Sequence, residues 1–307
     1  MSKIDKSLTV GVEIEMTGLA RAHAADIVAT ELGGQVGRMA RNGYETREIT
    51  APDGRVWKVM RDASIHKEAG GDPLTWENAV ELVTPILHYE DIETLQNIVR
   101  ALRHAGAKVN DSCGIHVHVG AEKFDARHLR NLVNIVNSKE DLIYDALGVL
   151  QNREDGYCKK IYPEFLMEVN TPSQPLESRE DIINTWYESQ GESWNRNAHY
   201  NETRYHGLNL HAVDTKGTVE FRVFNSTLHA GKVKAYIQFC MAVVSQALAQ
   251  KSASPTKTTT TNPKYTFRTW LLRLGLIGEE YATCRKWMLE KLAGDSAFRD
   301  ARRLQRA

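Results

Sequence analysis

Three segments of the chain alternate between apolar and polar positions. In "LTVGVEIEM", Leu8, Val10, Val12, Ile14 and Met16 fall on one side of an extended strand, and Thr9, Gly11, Glu13 and Glu15 on the other. "GIHVHVG" sets Ile115, Val117 and Val119 against Gly114, His116, His118 and Gly120. "GTVEFRVFN" sets Val219, Phe221 and Val223 against Glu220 and Arg222. Two further stretches read as strands: "RVWKVMRDAS", running into a turn near Asp62, and "ENAVELVTPIL", ending at Pro85.

Apolar spacing changes to the helical period between them. "ARAHAADIVATELGG" is predicted helical and closed by its glycines, and "YEDIETLQNIVRALRHAG" carries Ile92, Leu95, Ile98, Val99 and Leu102 on one stripe. "DARHLRNLVNIVNSKEDLIYDALG" and "GKVKAYIQFCMAVVSQALAQ" are longer helices. Strands and helices interleave irregularly, which predicts an α+β fold rather than repeated βαβ units. "KSASPTKTTTTNP", 251–263, reads as a solvated linker or long loop. It divides a domain over 1–250 from a helical extension over 264–307, either a small accessory module or a segment packed on the surface. The basic end "RDARRLQRA" reads as a solvated helix end.

Composition narrows the class without naming it. The 307 residues are 42% hydrophobic and 25% charged, as in ordinary globular chains. The 39 basic residues match the 39 acidic ones, so charge suggests no nucleic-acid partner. Cys113, Cys158, Cys240 and Cys284 are scattered and form no zinc ribbon or disulfide pattern. With no signal-peptide h-region and no apolar run long enough to span a bilayer, the expectation is a reduced, cytoplasmic protein with no membrane partner.

The chemistry lies on the polar strand faces. Glu13 and Glu15 are either solvated glutamates or part of a site. Glu81 interrupts an apolar run, so it must be exposed, ion-paired or bound to a cation, and Glu77 shares its face if the strand is continuous. Glu220 and Arg222 could simply pair with each other. Two imidazoles on one glycine-flanked face, His116 and His118, point to a metal, a phosphate or both. Gathered in one concavity, such carboxylates with an imidazole suit Mg²⁺ or Mn²⁺ better than zinc, and the arginine suits a nucleotide triphosphate.

The pieces "GVEIEM", "DAS" at 62–64, "ELVTPIL", "GIHVHVG", "RYHGLNL" and "GTVEFRVFN", in that order over residues 8–225, resemble the carboxylate–amine ligase superfamily of glutamine synthetase and glutamate–cysteine ligase. Within it, they most resemble the amidoligase family. The resemblance implies a curved, mainly antiparallel sheet forming half a barrel, with helices outside and ATP held by two or three Mg²⁺ ions. It implies that Glu13, His116 and Glu220 hold the cation on the phosphates, and that Glu15 and Glu81 hold a second. Arg222 would neutralise the transferring γ-phosphoryl group, His118 would contact the nucleotide, and Arg204 and Asn209 would bind the acid substrate. Glu77 leaves open which carboxylate ligates.

The implied reaction is ATP-dependent amide or peptide-bond formation through an acyl phosphate, between a small-molecule or peptide carboxylate and an amine. Two alternatives remain. One is a zinc hydrolase built on the HxH pair, drawing on His199, His206, His211 or His229. The other is an inactive binding protein of the same fold. Cys113 should face away from His116 and has no assigned role.

Overall fold

The computed structural model describes residues 3–173, 175–198 and 200–298. It divides into two compact units, one formed by 6–118 with 224–237 and the other by 1–5, 119–223 and 238–307.

The first unit contains β1 (Val10–Met16), α1 (Arg21–Leu32), β2 (Gln35–Val36), β3 (Arg47–Thr50), β4 (Val56–Met60), β5 (Val80–Val83), α2 (Ile92–His104) and β6 (Gly114–Gly120), whose last two residues pass into the second. Its strands lie in the order β2-β3-β4-β5-β1-β6. The ladders from β2 through β1 are antiparallel, in keeping with the predicted mixed fold. Val10, Val12, Ile14 and Met16 are buried as the alternation requires, and so are Ile115, Val117 and Val119. Helix α2 buries the predicted stripe. Helix α1 ends at Gly33, whose left-handed backbone (φ 63°) returns its N–H to the carbonyls of Ala29 and Thr30. Strands β2 and β3 escaped the sequence reading, because β2 is two residues long and β3 buries only Ile49. The extended reading of "ENAVELVTPIL" needs correction: Trp76–Asn78 is a 3₁₀ turn, and the strand begins at Val80.

The second unit holds α3 (Ala126–Leu147), α4 (Gln151–Gly156), α5 (Pro163–Val169), α6 (Arg179–Glu188), β7 (Leu208–Asn209), α7 (His211–Thr215) and β8 (Thr218–Asn225, its last two residues in the first unit). Helix α8 (Ala230–Ala249) enters it at Gln238, and α9 (Pro263–Arg273) and α10 (Ala282–Leu289) follow. Asp125 caps α3 by accepting the His128 N–H at 2.8 Å. Strands β7 and β8 pair antiparallel, Asn209 opposite Glu220. Helices α4, α5 and α7, of six, seven and five residues, are too short to have shown a period.

Residues 251–262 form no regular element and are largely exposed, yet they are tied down at several points. They run along α3 as a strap. Asn134 Nδ2 donates to the Ala253 carbonyl at 2.9 Å, Asn137 Nδ2 to Pro255 at 2.6 Å, and Thr258 N–H to Ser138 at 2.9 Å. Lys257 meets buried Glu140 at 2.9 Å. Burial pushes the Glu140 carboxyl up, and Lys257 opposes that shift. Helix α9 packs through Phe267 and Trp270 onto Phe239 of α8, with ring centroids 6.3 and 5.7 Å apart. The basic end 299–307 lies outside the described residues. Among those described, no helix is long and apolar enough to cross a membrane.

Candidate active site

The first unit gathers five of the expected residues on three neighbouring strands. Glu15 of β1 stands directly opposite Glu81 of β5, and Glu13 opposite Val83. Period-two alternation therefore puts Glu13, Glu15 and Glu81 on one face. Strand β6 flanks β1 and brings its two imidazoles to Glu13: His116 Nδ1 lies 2.8 Å from Oε2, and His118 Nε2 lies 3.3 Å from Oε1. His116 Nε2 also reaches to 3.7 Å from Glu15 Oε1. The Gly114 N–H donates to Glu15 Oε2 at 2.6 Å and fixes that carboxylate. Glu15, Glu81, His116 and His118 are all buried.

A sixth residue completes the cluster. Strand β4 ends with Met60 opposite Glu81, so Asp62, two residues on, returns to the same face. Its side chain accepts the Ser64 N–H at 2.6 Å. One oxygen each from Glu15, Asp62 and Glu81 lie within 4.8 Å of one another, and the same holds for Glu13, Glu81 and one nitrogen of His116. Glu81 belongs to both triplets. Sequence reasoning quoted "DAS" but gave Asp62 no role, since it lies beyond the end of its strand. Glu77, the rival of Glu81, sits exposed on the 3₁₀ turn.

The second unit holds the other expected residues. Glu220 is buried and gripped at both oxygens: Asn209 Nδ2 donates to Oε2 at 2.6 Å and Arg222 Nη1 to Oε1 at 2.7 Å. Arg222 is equally buried, and its Nε points to the Tyr157 carbonyl at 3.4 Å. Asn209 in turn accepts the His211 N–H through Oδ1 at 2.8 Å. Arg204 ends a 3₁₀ turn, its guanidinium 5.5 and 5.6 Å from the ring centres of Tyr200 and Tyr205.

Of the four histidines the zinc reading draws on, three have structural partners. His206 Nδ1 lies 3.0 Å from the Thr203 carbonyl, and burial lowers its pKa to about 4. His211 Nδ1 is 2.7 Å from the Tyr187 hydroxyl. His229 Nδ1 accepts the Lys232 N–H at 3.3 Å, and His199 lies outside the described residues. Cys113 is buried, with Sγ 3.4 Å from Asn110 Oδ1. The Cys158 thiol is pushed up to about 11 by burial, which makes it a poor nucleophile.

Comparison with known proteins gives one family. The model of the family described as "putative amidoligase enzyme" matches residues 6–244. A search of curated proteins finds no match. Among solved structures, the chain is similar to a bifunctional glutathione synthetase from Pasteurella multocida, at 12% identity and a TM-score of 0.39. That similarity covers 93% of this chain and 47% of the synthetase, so the chain spans about half the length of that enzyme.

Proposed function

The chain belongs to the amidoligase family, and from that premise we propose that it is an ATP-dependent carbon–nitrogen ligase joining a carboxylate to an amine. The observation that carries this reading is the pair of triplets sharing Glu81. Three carboxylates with oxygens no more than 4.8 Å apart repel by at least about 3 kcal/mol per pair, taking an effective dielectric of ~20. Divalent cations relieve that repulsion. An all-oxygen triplet suits Mg²⁺ or Mn²⁺, and one imidazole beside two carboxylates still does. The residues therefore fit the cations that a nucleotide triphosphate brings.

In this reading Glu15, Asp62 and Glu81 hold one cation, and Glu13, Glu81 and His116 hold another. The acid carboxylate would take the γ-phosphoryl group of ATP with loss of ADP, and the amine would then attack the acyl carbon and displace phosphate. The chain's own residues orient and neutralise. The Gly114 N–H fixes Glu15, Glu13 spaces the two imidazoles, and His118 contacts the nucleotide. Arg222, fixed by Glu220, offers the planar cation that a transferring phosphoryl group requires, while Asn209 positions Glu220. Arg204, flanked by two tyrosines, is assigned to the acid substrate.

The zinc-hydrolase alternative loses support, because among the described residues His116 and His118 share no metal-competent triplet, and His206, His211 and His229 each have a partner of their own.

The test uses hydroxylamine as the amine, Mg·ATP and a panel of amino acids, dicarboxylates and acidic peptides. Acid-dependent hydroxamate formation coupled to ADP release, abolished by EDTA, is the expected result. Acid-dependent hydrolysis without ATP, restored by zinc, would overturn the proposal.

A further inference from the structure

Basic and acidic residues balance over the whole chain but not along it. Residues 251–307 contain 12 basic against 5 acidic residues, a net of +7, and residues 1–250 contain 27 against 34, a net of −7. The surplus lies beyond residue 244, where the family match ends.

Helices α9 and α10 bring part of that surplus to one groove of about 390 Å³. Lys264 and Arg268, one helical turn apart, line it from α9, and Arg285 and Lys286 line it from α10. Ser296 adds a hydroxyl, and Glu290 is the one acid among the described lining residues, leaving a local charge of +3. Among the described residues none of the four cations forms a salt bridge. Arg285 Nη1 donates to the carbonyls of Leu276 and Gly278, both at 2.9 Å, which anchors its guanidinium. Lys286 Nζ lies 4.8 Å from the centre of the Trp287 ring. Like charges one turn apart on a helix destabilise it, so folding alone does not favour this arrangement. An anion seated in the groove removes the penalty.

We propose that this groove binds a compact anion carrying two or more phosphate groups. Its volume falls in the small-ligand range of roughly 300–1,000 Å³. A phosphate carries about −1.5 to −2 charges near neutral pH, so two of them balance +3. Arginine forks and a hydroxyl are suited to phosphate oxygens. Among the described lining residues none is aromatic, so the groove lacks the stacking platform that single-stranded nucleic acid uses.

Isothermal titration of the full chain with inorganic tripolyphosphate, in EDTA so that no divalent cation bridges it elsewhere, tests the site. The expected result is saturable one-site binding. Arg268→Glu and Lys286→Glu should each weaken it by about tenfold or more, the scale of one lost charge-assisted hydrogen bond. Lys251→Glu changes the chain's charge equally from outside the groove and should leave affinity within about twofold, as should Arg222→Met. Lys286 is exposed, so its variant carries the test if Arg268→Glu fails to fold. Absence of binding, or equal loss in Lys251→Glu, would overturn the proposal, as would loss confined to Arg222→Met. Repeating the titration with a sugar bisphosphate separates the two sources of such an anion: tighter binding identifies a phosphorylated metabolite, weaker binding inorganic polyphosphate.

Discussion

Glu15 and Glu81 are direct partners across the β1–β5 ladder, both nearly sealed from solvent at 3% and 8% exposure. Like charges directly opposite each other destabilise a sheet, and burial strengthens the effect. A fold that keeps this pair, and adds Asp62 at its edge, has given up stability for something the pair can hold.

Replacing one member should therefore separate stability from binding. Glu81→Gln keeps the shape and removes one charge from both triplets. In EDTA it should melt a few degrees above the wild type, since relief of about 1–3 kcal/mol is available. Wild-type protein with Mn²⁺ at roughly 100 times its dissociation constant should gain about 2.7 kcal/mol, and the variant should gain almost none. Scanning fluorimetry with and without Mn²⁺ reads both effects. A variant that melts lower in EDTA and still responds to Mn²⁺ would remove Glu81 from the site.

The two imidazoles should not be equivalent. His116 reaches both Glu13 and Glu15, and His118 reaches Glu13 at the longer distance of 3.3 Å. His116→Ala should abolish ligase turnover, by at least about 10³-fold if a cation is lost from the reacting centre. His118→Ala should mainly raise the KM for ATP. Because Ile115 and Val117 are buried on the opposite face, both variants should keep the wild-type circular dichroism. Equal losses of turnover in the two would contradict the division of roles.

The strand faces were legible in the sequence because a period of two needs no tertiary information. Asp62 was not, because it stands two residues past the end of β4, and only the register Met60–Glu81 carries it to the site. The choice between Glu77 and Glu81 was likewise hidden, turning on a 3₁₀ turn that the apolar run did not betray. Asn131, Asn134 and Asn137 recur every third residue on α3, yet read as ordinary polar positions of a helix. Their purpose is set by residues more than a hundred positions later: Asn134 and Asn137 receive the strap, and Asn131 the end of α8 and the residue after it. Double replacement by alanine at 134 and 137 should cost about 2 kcal/mol in urea unfolding, since each leaves a partly buried carbonyl without its donor.

Arg222 and Glu220 pose a question of role. Their 2.7 Å contact would look the same if the arginine existed only to neutralise the glutamate. Arg222→Lys distinguishes the cases, because lysine keeps the charge and loses the fork. Action on the phosphoryl group predicts a fall in kcat of about 10²-fold or more with little change in the KM for ATP. A purely structural partner predicts near-normal kcat and a lowered melting temperature instead.

His206 gives the fold an acid-sensitive point remote in chemistry from metal ligation. It is buried edge-on against Trp186, ring centres 5.0 Å apart, and it donates from Nδ1 to the Thr203 carbonyl, so the neutral tautomer is the one the site accepts. Burial lowers its pKa from the usual 6.5 to about 4. Between those values the unfolded chain binds a proton that the folded chain refuses, so stability is present above pH 6.5 and drains as pH falls towards 4. By pH 4.5 the loss from this group reaches about 2.5 kcal/mol. His206→Gln keeps a donor for Thr203 and does not titrate. It should be the less stable protein at neutral pH, where it forfeits the packing on Trp186, and should lose less than the wild type on acidification. Urea unfolding at neutral pH and near pH 4.5 gives the comparison. Parallel losses in the two proteins would mean that the imidazole is protonated without cost and that acid sensitivity arises elsewhere.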